Sequence, residues 1–211
     1  MLLFIILLAY ILGSIPFALM IGKLFFGVDI RDHGSGNPGA TNSVRVLGKK
    51  AGLLVFAGDA LKGFAAASLP IAFHVDADPL FIGFVAVAAH CFPIFAGFKG
   101  GKAVATTFGV LLYADLELLA VALGSFVAII LFTKYVALGS LSIAPSLLLY
   151  SLLDGSLYQS LLFMAFIPFM FFVHRSNIRN LRDGNEPKIN DKTIKNDKIT
   201  KDSNKNTDIK T

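Results

Sequence analysis

Three short stretches of this chain concentrate groups suited to holding anions. The first is Gly34-Ser35-Gly36-Asn37-Pro38-Gly39-Ala40-Thr41-Asn42, with Arg45 just beyond it. Glycine permits backbone angles closed to other residues and lets a ligand approach the main chain. Successive N–H groups in such turns form anion-binding concavities, and Ser35, Asn37, Thr41 and Asn42 add side-chain hydrogen bonds. The second is Phe98-Lys99-Gly100-Gly101-Lys102, running into Ala103-Val104-Ala105-Thr106-Thr107. A helix starting there presents unpaired N–H groups and partial positive charge, and Lys102 makes that terminus suited to phosphate. The P-loop spacing G-x-x-x-x-G-K-[ST] is absent. The third is His174-Arg175-Ser176-Asn177-Ile178, followed by Gly184 and Glu186. A continuing helix would put His174, Asn177 and Ile178 on one face. Several anion-binding elements on one small chain point to a phosphate-bearing substrate.

Asp59 and Lys62 form a fourth polar group, three residues apart in an apolar run. Two readings stand side by side, a structural ion pair and a substrate contact. The other histidines, His33, His74 and His90, are scattered, and no Cys/His/carboxylate spacing suggests a metal. His followed five residues later by Asp fails at all four histidines, and there is no Gly-x-Ser-x-Gly nucleophile elbow. The single cysteine, Cys91, excludes an internal disulfide.

These segments must be carried by membrane helices. Of the residues, 55% are hydrophobic and 16% charged, and the apolar ones fall in long runs. The run from Leu2 has no basic region ahead of it and no small-residue cleavage site, so it is expected to be a retained span rather than a signal peptide. Spans of roughly 20 residues are expected at 2–24, 51–73, 79–96, 102–114, 116–133, 135–153 and 156–173. The fourth, reaching only about 18 Å, is the shortest. Lys and Arg decide its reading, because cytoplasmic loops are enriched in them. With the N-terminus outside and seven crossings, Arg31, Arg45, Lys49, Lys50, Lys99, Lys102 and Lys134 share the cytoplasmic side with the C-terminus. Asp76, Asp78, Asp115, Glu117 and Asp154 then lie outside. The expected fold is an all-α integral membrane protein, a compact seven-transmembrane-helix bundle over 1–187. Pro16, Pro70, Pro145 and Pro168 are expected to kink their helices. Residues 188–211 alternate Lys, Asp, Asn and Thr, and should form a disordered basic polar cytoplasmic tail.

The stretches Asp29-Ile30-Arg31-x-x-Gly34-Ser35-Gly36-Asn37-x-Gly39-Ala40-Thr41-Asn42, Gly100-Gly101-Lys102-x-Val104-Ala105-Thr106 and His174-Arg175-x-Asn177-Ile178 resemble the motifs of the acyl-phosphate:glycerol-3-phosphate acyltransferase family of bacterial membranes. The resemblance covers residues 1–187 in order, spacing and expected sidedness. It implies transfer of a fatty acyl group from acyl phosphate to the 1-position of sn-glycerol 3-phosphate, giving lysophosphatidate and phosphate. It also implies a multi-pass protein of the bacterial inner membrane with its site facing the cytoplasm, and no metal or other cofactor. Ser35, Arg45, Lys102, His174 and Asn177 are the catalytic candidates. Gly36, Asn37, Gly39, Ala40, Thr41, Asn42, Gly100, Gly101, Thr106, Asp59 and Lys62 are the candidates for substrate binding. Expected partners are the two small substrates and membrane lipid, with loose association with other lipid-synthesis enzymes and no nucleic acid. A transporter of a phosphorylated metabolite is the rival reading, favoured only by Asp59 and Lys62. A non-catalytic scaffold leaves the glycine-rich segments without purpose.

Overall fold

A computed structural model describes residues 1–189, so the expected tail from 190 onward lies outside the described residues. The helices are α1 (Leu2–Gly13), α2 (Phe17–Phe26), α3 (Ala40–Leu47), α4 (Lys49–Ala72), α5 (Pro79–Cys91), α6 (Val104–Ala114), α7 (Leu116–Thr133), α8 (Val136–Asp154), α9 (Leu157–Val173) and α10 (Arg175–Arg182). Short 3-10 turns cover Ile30–Asp32 and Ile94–Ala96. The chain divides into two compact units, Met1–Val110 and a second that begins at Leu111.

In the first unit, the expected span 2–24 is two helices. Pro16 has no N–H to give and pushes Ile15 out of helical geometry, so the helix breaks between Gly13 and Phe17. The break is held from three sides. Tyr10 donates its hydroxyl to the Phe92 carbonyl at 2.8 Å, Ser14 accepts from Ile94 N at 3.4 Å, and Lys62 donates to the Ile15 carbonyl at 2.8 Å. Helix α1 packs on α4 and α5, while α2 packs on α3 and α4. Two apolar clusters result. One joins Ile5, Ala9, Ala66, Leu69, Ile82 and Ala86; the other joins Ala18, Leu19, Ile30, Val46, Leu47 and Val55. Along α4, Asp59 and Lys62 lie between Val55 of one cluster and Ala66 of the other. The backbones of α4 and α6 touch, because a Cβ at Gly63 would meet the Thr106 carbonyl and one at Gly109 would meet the Ala60 carbonyl.

The second unit packs α8 against α7 and α9. Hydroxyls join these apolar helices, as Ser125 pairs with Ser146 at 2.9 Å and Ser160 with Ser151 at 3.1 Å. Asp115 caps α7 by accepting from Glu117 N and Leu118 N, at 2.9 and 3.0 Å, and Tyr150 donates to Glu117. In the first unit Asp78 caps α5 in the same way through Phe81 N at 3.0 Å. Two of the acidic residues expected outside therefore have a local reason to be there, whatever the sidedness.

Length and composition qualify five stretches to cross a membrane: Leu2–Phe26, Lys49–Ala72, Pro79–Ala96, Leu116–Thr133 and Val136–Asp154. The pair Leu157–Val173 and Arg175–Arg182, bent by 62°, makes a sixth if counted as one. The expected fourth span is the 11-residue α6, which at 1.5 Å per residue reaches only about 17 Å of the roughly 30 Å of hydrocarbon. The fold is all-α and membrane-type, but helix length alone does not reach seven crossings. Pro70, Pro145 and Pro168 lie inside α4, α8 and α9.

The contact between α4 and α6 gives a stability prediction. Gly109→Leu forces a side chain into the Ala60 carbonyl and should cost about 1–3 kcal/mol. Gly124→Ala, where nothing lies within 4 Å of the added Cβ, should leave stability unchanged or raised. Thermal unfolding in detergent checks both, and equal melting temperatures for the two variants would contradict the packing.

Candidate active site

The first glycine-rich segment is half loop and half helix. Helix α3 starts at Ala40, so Thr41, Asn42 and Arg45 are helical residues, and Thr41 and Arg45 share a face at four-residue spacing. Gly39 is the extended residue before it, and the first N–H groups of α3 have no acceptor within their own helix. Asn42, expected at the substrate, is buried and commits its amide to the loop backbone. Its Oδ1 accepts from Ser35 N at 2.9 Å, and its Nδ2 donates to the Ile30 and His33 carbonyls at 3.2 and 3.0 Å. This clamp needs Gly34 at φ +59°, where a Cβ would strike Asn42. Ser35 and Thr41 are exposed above the clamp, while Gly36, Asn37 and Arg45 are half-buried.

Asp29 and Arg31 tie this segment to the next. The Asp29 carboxylate accepts from Arg31 N and Nε at 3.0 Å and from Nη2 at 2.7 Å, while Arg31 Nη1 donates to the Ala96 carbonyl at 3.1 Å. The Arg31 guanidinium holds the Asp29 carboxyl down to about 2.

The second segment folds back on the end of α5. Gly100 N donates to the Cys91 carbonyl at 3.1 Å and Gly101 N to the His90 carbonyl at 3.2 Å. A Cβ at Gly101 would meet the His90 ring and lie 3.0 Å from the Pro38 carbonyl, so only glycine allows the two segments this close. Lys102 follows, half-buried, just before α6. A narrow pocket lies where the segments meet, lined by Pro38, Lys99, Gly100 and Gly101, by Ile15 to Phe17 at the helix break, and by Asp59, Lys62 and His90.

The Asp59–Lys62 pair is real and buried. Lys62 Nζ stands 2.8 Å from Asp59 Oδ1, and both side chains are 3% exposed. Lys62 Nζ also lies 5.9 Å from the centre of the Phe17 ring. His90 Nδ1 stands 3.4 Å from Asp59 Oδ1 and 3.1 Å from Thr106 Oγ1, so Thr106 sits under the turn with its hydroxyl engaged. His90 was among the scattered histidines in the sequence. Nothing in linear spacing joins it to Asp59; only the packing of α4 on α5 does.

In the second unit, His174 lies at the bend between α9 and α10, so the helix does not continue straight through it. It is 2% exposed, with Nδ1 3.0 Å from the Met170 carbonyl. One turn on, Asn177 Nδ2 donates to Glu186 Oε1 at 2.7 Å, which anchors the segment after α10.

Compared with known proteins, residues 3–184 match the family described as glycerol-3-phosphate acyltransferase. The chain belongs to that family. A glycerol-3-phosphate acyltransferase of Geobacillus kaustophilus is 47% identical over 192 residues, covering 88% of this chain and 94% of its own. One of Bacillus subtilis is 47% identical over 184 residues, covering 87% and 95%. The crystal structure of PlsY (YgiH), an integral membrane glycerol 3-phosphate acyltransferase in its glycerol 3-phosphate form, matches with a TM-score of 0.78 and 40% identity over 89% of this chain and 94% of that one. Its lysophosphatidic acid form matches with a TM-score of 0.78 and 39% identity, covering 88% of this chain and 94% of that one. The acyltransferase resemblance of the motifs is thus borne out at the level of the family, and the chain is a membrane-bound protein.

The Asp29–Arg31 pair has a pH signature. A carboxyl whose folded value of about 2 lies below its unfolded one adds stability that is fully present above the unfolded value and lost as pH falls through about 2. Asp29→Asn should therefore unfold at lower temperature than the parent at pH 7, with the gap closing as pH falls from about 4 toward 2. A gap constant across that window would contradict the pairing.

Proposed function

We propose that this chain transfers a fatty acyl group from acyl phosphate to the 1-position of sn-glycerol 3-phosphate, releasing lysophosphatidate and phosphate. Its family membership supports the acyl transfer to glycerol 3-phosphate. The observation that carries the site is the meeting of the Gly100-Gly101-Lys102 turn with the Pro38 segment, two anion-binding elements in one unit. In the reaction, the glycerol hydroxyl oxygen attacks the acyl carbonyl carbon, and the bond from that carbon to the phosphate oxygen breaks. The hydroxyl proton leaves with the phosphate.

The main demand is electrostatic. Unit charges 6 Å apart repel by about 3 kcal/mol at an effective dielectric of 20. We assign Lys102, Arg45 and Ser35 to glycerol 3-phosphate, together with Gly100 and Gly101, and keep His174 and Asn177 as catalytic candidates on their motif. The acyl phosphate is assigned to the backbone and hydroxyls from Gly36 and Asn37 through Gly39, Ala40 and Thr41, with Asn42 holding that segment from below. Holding both reactants in line supplies roughly 7–11 kcal/mol of barrier reduction in well-oriented reactions. Acyl phosphate already has a good leaving group, and we take its phosphate to be the proton acceptor. Two carboxylates are buried among the described residues: Asp59 is paired with Lys62, and Glu186 accepts from Asn177 through Oε1.

The proposed setting is a seven-crossing chain in the bacterial inner membrane, N-terminus outside, with α6 as the short crossing and the site facing the cytoplasm. The sidedness of Lys and Arg supports it. Residues 1–187 form the acyltransferase domain and 188–211 a tail.

Purified protein in detergent, given acyl phosphate and glycerol 3-phosphate, should release lysophosphatidate and phosphate with no compartment present. Arg45→Ala and Lys102→Ala each remove a charge-assisted contact of about 2–3 kcal/mol and should lower kcat/KM roughly 30- to 150-fold while the protein stays folded. Retained activity in both would overturn the assignment.

A further inference from the structure

His90 grips the phosphate-binding turn at both ends. Its backbone carbonyl accepts from Gly101 N at 3.2 Å, immediately before Lys102. Its ring reaches past Lys102 to Thr106, one helical turn later, with Nδ1 3.1 Å from Oγ1. The ring edge carrying Nε2 fills the space where a Cβ at Gly101 would stand. Lys102 is thereby bracketed between two points fixed by one residue. The ring has little freedom of its own, being 6% exposed, with Asp59 Oδ1 3.4 Å from Nδ1. A carboxylate beside Nδ1 favours hydrogen on that nitrogen, and the Asp59 carboxylate and the Thr106 hydroxyl are the two groups that face it. Asp59 is held in turn by Lys62, and Lys62 by the Ile15 carbonyl at the helix break.

We propose that His90 is a positioning residue for the acyl transfer: it fixes the direction of Lys102 by clamping Gly101 and Thr106 together, and Asp59 and Lys62 act through it. The proposal rests on the reading that the Gly100-Gly101-Lys102 turn holds the phosphate of glycerol 3-phosphate. A histidine that merely fills the core would affect how much protein folds; one that aims Lys102 affects one substrate and spares the other.

The test is steady-state kinetics on the full chain in detergent, varying glycerol 3-phosphate and acyl phosphate separately. Thr106→Val keeps the shape of the buried side chain and removes its hydroxyl; Thr106→Ser restores a hydroxyl. The expected result is a KM for glycerol 3-phosphate about tenfold higher in Thr106→Val and in His90→Ala, with the KM for acyl phosphate within about twofold. Thr106→Ser and His90→Asn, which keeps an N–H near the Nδ1 position, should recover most of the loss. The double variant Thr106→Val with His90→Ala should be no worse than His90→Ala, since both cut one path. Should His90→Ala fail to fold, Thr106→Val and Thr106→Ser decide the matter between them. Loss of kcat in proportion to folded protein with both KM values unchanged, or an equal rise in both, would overturn the proposal. Lys102→Ala separates the two layers. If it raises the KM for glycerol 3-phosphate and Thr106→Val does not, the clamp alone is wrong. If Lys102→Ala itself leaves that KM unmoved, the reading of the turn fails and the clamp with it.

Discussion

A lysine ammonium in the middle of an apolar helix is the constraint on which the first unit depends. Leaving a charge in such surroundings costs several kcal/mol unless it is paired and hydrogen-bonded. Lys62 meets that demand with Asp59 one turn away and the carbonyl of Ile15. That carbonyl is there because Pro16 breaks the first apolar run, and a straight helix would have kept it for its own ladder. The ion pair and the break therefore require each other. Together they set where α2 starts, and through α2 the approach to the first glycine-rich segment. The same pair gives His90 its partner, so one polar knot between two apolar clusters lines the pocket where the two glycine-rich segments meet.

The proposed acyl transfer between two phosphorylated molecules asks for little bond-making help from side chains and a great deal of rigidity. Donors that already point at an anion need not reorganise during reaction, and this is where electrostatic stabilisation is most effective. Backbone N–H groups at the starts of α3 and α6 suit the task better than long flexible cations would alone. The structure invests accordingly in holding those backbones. Asn42 satisfies three main-chain groups in and just before the first segment, and Arg31 joins the 3-10 turn ahead of it to the Ala96 carbonyl, just before the second.

Much of this was legible in the sequence because hydrophobicity and glycine chemistry are local properties. The long apolar helices, the turn at Gly100 to Lys102 and the burial of Asp59 with Lys62 follow from composition over a few residues. The remainder depends on contacts between distant positions. The hydropathy of 2–24 is continuous across a real break, since Ile15 and Phe17 are apolar whether or not they are helical. Helix α3 is hidden by its own residues: Thr41, Asn42 and Ser43 look like loop, and its burial comes from Val46 and Leu47 against neighbours that linear reading does not reveal. Asn42 reads as a ligand contact because amides bind ligands, yet its hydrogen bonds go to the loop. His90 carries no local signal, and its role arises where α4, α5 and the turn before α6 come together.

A structure of this chain with glycerol 3-phosphate bound tests the central claim most directly, through the position of the phosphorus atom. The account predicts a phosphate in hydrogen-bond contact with Lys102 and with the backbone at Gly100 and Gly101, with the Gly101 to His90 contact intact. A phosphate seated elsewhere, with the Gly100 to Lys102 turn empty of ligand, would contradict it.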